Sequence, residues 1–349
     1  MSRIQLCNRR HIIKIKYGFF LVTAVFAVIG FSASCSGDGS DDTDIYAERM
    51  QGFVTEISVY AKNKKPGFII IPQNGVELAF NYTDIGEGIK TSYVNAIDGI
   101  GVEELFYNDG PFEDDGERLP MLKKLKQNKP ALAVMVSDYV PVGLLDEAFV
   151  KYKTEYKDFI FFPREAGGFN DNFEYMFIPG YPPASVSSVP VSNIGAAKNY
   201  LYLISTDQYT KAPNNEPLSV YLADIAATNY DVVLIDLFYN DIVLTAGDIN
   251  QLRTKPVGED RLLIAYINIG ALEKFRYYWT DTLNETLPSW AKKEYDGWPD
   301  EYWVEFWNQQ WKDIIFGKEN SYIDKIIAAG FDGAYLDNVE AYYFLLNDD

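Results

Sequence analysis

The sequence predicts an α/β protein built as a (β/α)8 TIM barrel. Eight short apolar runs recur along the chain, helical patterns alternate with them, and several of the runs end in an acidic residue. Runs such as Phe68–Ile71 and Val232–Ile235 are apolar at every position rather than at alternate ones. That is the signature of strands buried on both faces of a parallel sheet. In such folds reactive groups gather where the strands end. A doubly wound open sheet shares the alternation and stays open as the alternative, because periodicity does not report closure.

The N-terminal stretch stands apart from this rhythm. Arg3, Arg9, Arg10, Lys14 and Lys16 precede an almost purely apolar run, Tyr17 to Phe31, and Ser32-Ala33-Ser34-Cys35 follows. That order reads as a signal peptide over residues 1–34, and its end resembles a bacterial lipobox with Ser32 where leucine is usual. Cys35 is then expected as the lipidated first residue of the exported protein. Residues 35–44, which include the run GDGSDDTD, are expected as an acidic flexible tether and 45–349 as a single domain. A membrane partner through the lipid anchor follows from this, and so does a place in a bacterial cell envelope, on the outer membrane or the cell surface.

Within the domain, Ile45–Lys64 sets Met50, Phe53, Ile57 and Tyr60 on one helix face, and Pro66-Gly67 stops it. Strand Phe68–Ile71 runs into Pro72-Gln73-Asn74-Gly75. A further helix leads to strand Ala96–Glu103, whose glycines admit close approach of neighbouring chain. Helix Leu119–Lys129, strand Ala131–Val136, helix Gly143–Tyr156 and strand Phe159–Phe162 continue the alternation. Gly167–Ala196 interrupts it with a Gly-, Pro-, Asn- and Ser-rich stretch, long enough to suggest a functional or ordering loop. Strand Leu201–Ile204, helix Leu218–Thr228, strand Val232–Asp236, helix Thr245–Lys255 and strand Arg261–Ile269 follow. Helix Ser321–Ala329, with Gly330 as its C-terminal stop, leads into the eighth strand, Ala334–Leu336.

Composition narrows the chemistry. His11 is the only histidine, and Cys7 and Cys35 are the only cysteines. The exported domain therefore holds no histidine and no cysteine beyond the anchor. This excludes Ser-His-Asp and Cys-His nucleophiles, His- or Cys-ligated metal, and structural disulfides. No cofactor is implied. The leader carries five basic residues and no acid, so its removal takes the formal charge from −19 to −24. Nucleic acid is a poor partner for that surface, and a neutral or cationic ligand a better one.

All six tryptophans, Trp279, Trp290, Trp298, Trp303, Trp307 and Trp311, fall between the seventh and eighth strands. Sugar rings stack on aromatic faces, so the cluster suggests a carbohydrate platform, with Trp279 a candidate contact and about half of the tryptophans expected to pack locally. The strand-end acids are Glu103, Asp138, Asp236 and Asp337, with Glu273 just after Gly270. With no histidine at hand, two carboxylates are the natural apparatus, and glycoside hydrolysis needs only those.

Three segments carry a family resemblance: Tyr230–Asp236, Leu263–Gly270 with Glu273 and Arg276, and Gly330–Gly333 through Asp337-Asn338-Val339. They resemble glycoside hydrolase family 114, the endo-α-1,4-polygalactosaminidases and their bacterial and archaeal relatives. The resemblance implies Asp337 as the catalytic aspartate, in the role of nucleophile. The family's partner glutamate lies downstream of that aspartate, where this chain has no room for it. Gly101–Tyr107 resembles the glutamate's segment, Phe68–Asn74 the family's fifth strand, and Lys129-Pro130 through Val140 its seventh. The implied barrel is circularly permuted, with Glu103 as general acid/base and Glu104 as its rival. Asp236, Tyr266, Glu273, Arg276, Asn338, Asn74, Asp138 and Trp279 are the implied substrate-binding or tuning residues. Tyr335-Leu336 replaces the family's Glu-Pro, and Gln73 replaces a lysine. The substrate implied is α-linked galactosamine or N-acetylgalactosamine polysaccharide. A barrel that binds carbohydrate without turnover is the alternative, and a carboxylate-ligated metal hydrolase a third.

Overall fold

A computed structural model describes residues 42–165, 175–280, 283 and 286–346. The signal peptide, Cys35 and most of the expected tether lie outside the described residues. All the described residues belong to one compact unit spanning Ser40–Asp349. Among them no helix is long and apolar enough to cross a membrane. The first helix, Asp42–Lys64, begins inside the expected tether, with Asp42 and Asp44 in its first turn where the helix dipole favours negative charge.

The strands, in chain order, are β1 (Ile69–Pro72), β2 (Gly99–Asn108), β3 (Ala133–Val140), β4 (Ile160–Glu165), β5 (Tyr200–Leu203), β6 (Val232–Asp236), β7 (Phe238–Tyr239), β8 (Ile242–Val243), β9 (Leu262–Asn268), β10 (Ala271–Glu273), β11 (Ala291–Glu294), β12 (Glu301–Val304) and β13 (Gly333–Asp337). Eight of them are parallel and correspond to the eight apolar runs. One sheet has the order β1-β13-β9-β6-β5 and a second the order β2-β3-β4. Isolated parallel bridges join Gln73, just past β1, to Gly101 in β2, and Phe161 in β4 to Asn199, just before β5. The molecule is thus a mixed α/β protein with parallel sheets, compatible with the expected TIM barrel.

Local chemistry explains where the elements stop. Helix Tyr322–Ala329 buries Tyr322, Ile323, Ile326 and Ala329, and is capped by Ser321, whose side chain accepts from Asp324 N. It ends at Gly330, whose φ of 96° closes the helix before β13. The helix expected over Thr245–Lys255 covers only Ala246–Gln251. Its start is fixed by a capping box between Thr245 and Asp248, and Pro256 disfavours helical backbone at Lys255. In place of a helix after β1 there are three 3-10 turns and a short helix, Thr91–Ala96, because Gly75 and Gly88 take positive φ and break the run.

The tryptophan-rich segment is a small antiparallel sheet, ordered β10-β12-β11, set between β9 and β13 in sequence. Trp290, just before β11, Trp303 in β12 and Trp311, in the helix Gln309–Ile315, are buried, and Trp303 pairs with Ala271 across the ladder. Trp298 is 42% exposed, and Trp279 is partly buried against Tyr302 with ring centroids 6.1 Å apart. Tyr200, Tyr202 and Tyr335 are fully buried. Gly101 makes this possible, since a Cβ there would coincide with the Tyr335 phenol.

Candidate functional site

Asp337 ends β13 and Glu103 lies in β2, on the two strands that flank β1. Tyr335 and Asp337 share one face of β13, and Gly101, against which Tyr335 packs, shares its face of β2 with Glu103. Both carboxylates therefore stand above the same layer of buried tyrosines. At about 4.8 Å per strand, the backbones of β13 and β2 are about 10 Å apart, a span that two inward side chains close.

Asp337 is half-buried and accepts two hydrogen bonds, from Tyr266 Oη at 2.5 Å and from the Asn338 amide at 2.7 Å. Burial pushes its carboxyl up to about 7, the Tyr266 phenol works against that rise, and the charges of Glu103 and Glu273 add to it. Asn338 holds a left-handed backbone (φ 60°), and its carbonyl packs where a Cβ on Gly270 would otherwise stand.

Glu103 owes its position to a bulge. Between the pairs Glu103–Ser137 and Asn108–Tyr139, β2 carries four residues where β3 carries only Asp138. Asp138 is wholly buried and holds the bulge. Its Oδ1 accepts from the amides of Leu105 (2.8 Å) and Phe106 (3.1 Å), and its Oδ2 from Tyr152 Oη (2.7 Å). Burial raises its carboxyl to about 6. Arg118 grips the same bulge through the carbonyls of Glu103 (2.9 Å) and Glu104 (2.8 Å). Asn74 accepts from the Glu103 amide at 3.2 Å. The Glu103 carboxylate receives Tyr139 Oη at 3.2 Å and the phenol of Tyr175. Glu104 sits at φ 53°, and its Oε2 accepts from Asn108.

Asp236, Glu273 and Arg276 form a closed set on the other side of Asp337. The Arg276 guanidinium donates to Asp236 Oδ2 (2.7 Å) through Nη1, and to both Glu273 oxygens (2.8 and 3.2 Å) through Nε and Nη2. All three residues are buried. Their mutual attraction offsets the cost of desolvation, though burial still raises both carboxyls.

Two further carboxylates border Asp337 that sequence reasoning did not single out. Glu301 stands opposite Glu273 in the β10–β12 ladder, and Asn268 Nδ2 approaches it at 3.4 Å. Burial, then the charges of Glu273 and Asp337, hold it well above the usual carboxylate range. Glu340, three residues past Asp337, is raised to about 8 by burial and by Glu77, with Arg118 opposing. Strand pairing across a hairpin assembled Glu301 into the site, and its setting among tryptophans gave no acid pattern to follow. Among the described residues no group of three or more His, Cys, Asp or Glu is arranged to hold a metal ion.

Parallel strands whose C-terminal ends gather carboxylates over a tyrosine floor define an α/β protein with an acid-based site. Comparison with known families adds a likeness to this. The model described as "Glycoside-hydrolase family GH114" matches residues 205–349. The match takes in Asp236, Tyr266, Glu273, Arg276, Trp279, Asp337 and Asn338, while Asn74, Glu103 and Asp138 lie outside it. The chain is also similar to an uncharacterized protein of Thermotoga maritima, 30% identical over 122 residues, which is 35% of this chain and 36% of the relative. The uncharacterized protein MJ1477 of Methanocaldococcus jannaschii is 34% identical over 122 residues, covering 35% and 34%. A relative from Deinococcus radiodurans is 34% identical over 113 residues, covering 32% and 34%. The matched stretches span about a third of the length of these curated relatives.

Proposed function

We propose that this chain is a glycoside hydrolase that cleaves α-linked galactosamine or N-acetylgalactosamine polysaccharide with Asp337 and Glu103 as its two carboxylates. The observation that carries the reading is that Asp337 and Glu103, from strands flanking β1, are close enough for the charge of one to raise the other. Two carboxylates brought this close are the apparatus glycoside hydrolysis uses, one as acid and the other as base or nucleophile. Glu103 is assigned the protonation of the leaving oxygen. Asp337, steered by Tyr266, is assigned the attack on the anomeric carbon. Asp236, Glu273, Arg276 and Asn338 fix the Asp337 side of the cleft, and Asn74 and Asp138 the Glu103 side. Trp279 with Tyr302 offers a ring face to a neighbouring sugar. The excess of acids suits a polymer carrying free amines.

The same reading takes the two sheets as one closed (β/α)8 barrel in circularly permuted order. The bridges Gln73–Gly101 and Phe161–Asn199 support closure, because they link the sheets at both seams. The family match supports permutation. A linear alignment to a permuted chain breaks at the old junction, and the match begins only at residue 205. Export as a lipoprotein anchored through Cys35 to the cell envelope completes the proposal, resting on the order of charges, apolar run and small residues before that cysteine.

The test is incubation of the purified chain lacking residues 1–44 with α-1,4-linked galactosamine and N-acetylgalactosamine oligosaccharides, with products read by mass spectrometry. Cleavage that disappears in both Asp337→Asn and Glu103→Gln is the expected result. Tight binding with no product across a broad glycan set would instead make it a carbohydrate-binding protein, and loss of cleavage in excess chelator would point to a metal-dependent hydrolase.

A further inference from the structure

Arg164 is a buried cation that forms no ion pair among the described residues. It is 4% exposed, and its Nη1 is enclosed without a hydrogen-bond partner. A guanidinium withdrawn from water needs compensation, and most buried charges find it in a carboxylate. Among the described residues Arg164 faces aromatic rings. Its guanidinium lies 4.7 Å from the Tyr175 ring centroid and 5.5 Å from that of Phe162. In register, Arg164 is level with Tyr139 and Phe162 with Ser137, so these four side chains share the face that carries the tyrosine floor.

Tyr175 connects this cation to the site. Its ring also stacks on Tyr202, with centroids 3.8 Å apart and planes 19° from parallel. Its phenol meets the Glu103 carboxylate, Ser137 Oγ at 3.0 Å and Tyr139 Oη at 2.9 Å. Tyr139 Oη in turn reaches Glu103 Oε1 at 3.2 Å. Two phenols thus converge on one carboxylate oxygen, and a guanidinium sits over the ring of one of them. Its field polarises that O–H outward and strengthens it as a donor.

We propose that Tyr175 and Arg164 are positioning residues for Glu103: Tyr175 donates to its carboxylate, and Arg164, through the Tyr175 ring, supplies the positive field that answers the charge Glu103 carries once it has given its proton to the leaving oxygen. The proposal rests on the reading of Glu103 as one of the two reacting carboxylates. It gives the irregular segment before β5 a role, because that segment delivers Tyr175. The other groups facing Glu103 are Asp337 and Tyr335 from β13, Tyr200 and Tyr202 from β5, Tyr139 from β3, and Asn74 after β1. Beside it on its own strand is Glu104, and Arg118 binds the backbone carbonyls of the two glutamates and the Asp115 carboxylate.

The experiment reads protonation of the Glu103 carboxyl by carbon-13 NMR of glutamate-labelled protein. Its resonance is assigned by loss in Glu103→Gln, and an Asp337→Asn background removes the coupled titration. Tyr175→Phe and Arg164→Met are expected to shift the Glu103 titration to higher pH, while Arg164→Lys, which keeps the charge, stays near the unaltered protein. Circular dichroism checks that each variant is folded, and Tyr139→Phe supplies the comparison for the second donor. A Glu103 titration unmoved in folded Tyr175→Phe would overturn the proposal and leave Tyr175 as packing alone. A shift in Tyr175→Phe but none in Arg164→Met would strike out the cation and keep the donor. The readout needs no substrate, so a shifted titration in a protein that cleaves no oligosaccharide would sink the glycosidase reading and not this one.

Discussion

The phenol of Tyr266 donates to Oδ2 of Asp337 across 2.5 Å, from the adjacent strand β9 and from the residue paired with Tyr335. It is the hydrogen bond that most favours the charged form of a carboxyl which burial otherwise pushes up to about 7. A nucleophile must be ionised. With Asp337 in that role, kcat/KM rises with pH through about 7, the value of the free enzyme. Removing the donor in Tyr266→Phe then moves that limb upward by about one pH unit. A rate that falls rather than rises through the same range would make Asp337 the proton donor and exchange its role with Glu103. Initial rates on a defined oligosaccharide between pH 5 and 9 separate the two.

Glu103 and Glu104 are neighbours in different surroundings. Glu104 is held at φ 53° with its carboxylate on Asn108, whereas Glu103 meets two phenols. Glu103→Gln is expected to cut kcat by roughly a hundred- to ten-thousandfold, the usual worth of a general acid. Glu104→Gln is expected to stay within a few fold of the unaltered enzyme. The opposite order would shift the acid by one residue and require the bulge to rearrange in the bound state.

Much of this was legible in the sequence, for definite reasons. Continuous apolar runs such as Val232–Ile235 can only be buried on both faces, so all eight parallel strands were visible. Asp337 was visible because a short strand ends on it. Pairing was not visible. Glu301 reaches Asp337 through an antiparallel hairpin opposite Glu273, and no periodicity in a four-residue strand announces its partner. The bulge that leaves Glu103 and Glu104 in different surroundings depends on the buried Asp138 carboxylate, which as a strand-end acid looked equivalent to the others. Asp236 and Glu273 were singled out as acids, but that one arginine holds both follows only from the fold.

That arginine gives a stability prediction. Arg276 makes three short hydrogen bonds to two buried carboxylates, and replacing it with methionine leaves both without a counter-charge. Breaking a buried pair from one side costs about 3–5 kcal/mol, so Arg276→Met should unfold at distinctly lower urea. Adding Glu273→Gln should recover part of the loss, because one fewer negative charge then lacks a partner. No recovery would mean that packing of the guanidinium, not charge, is what the site requires.

Several carboxyls are raised by burial, and the sign of the consequence is fixed. Asp138 is raised to about 6, Asp337 to about 7 and Glu340 to about 8, against about 4 in an unfolded chain. Between those limits the folded protein keeps protons that the unfolded chain has released. The stability they contribute is complete below the unfolded values and is lost as pH rises through about 6, 7 and 8 in turn. Tm is therefore expected to fall as pH goes from 5 to 9, the reverse of a protein whose acids are stabilised as carboxylates. Glu340→Gln cannot ionise, so it should make that fall shallower across the whole interval from pH 5 to about 8, because the extra proton it removes is held throughout. Calorimetry of the two proteins across the range decides it: parallel curves would show that Glu340 titrates at its ordinary value and that burial is relieved by water reaching the cleft.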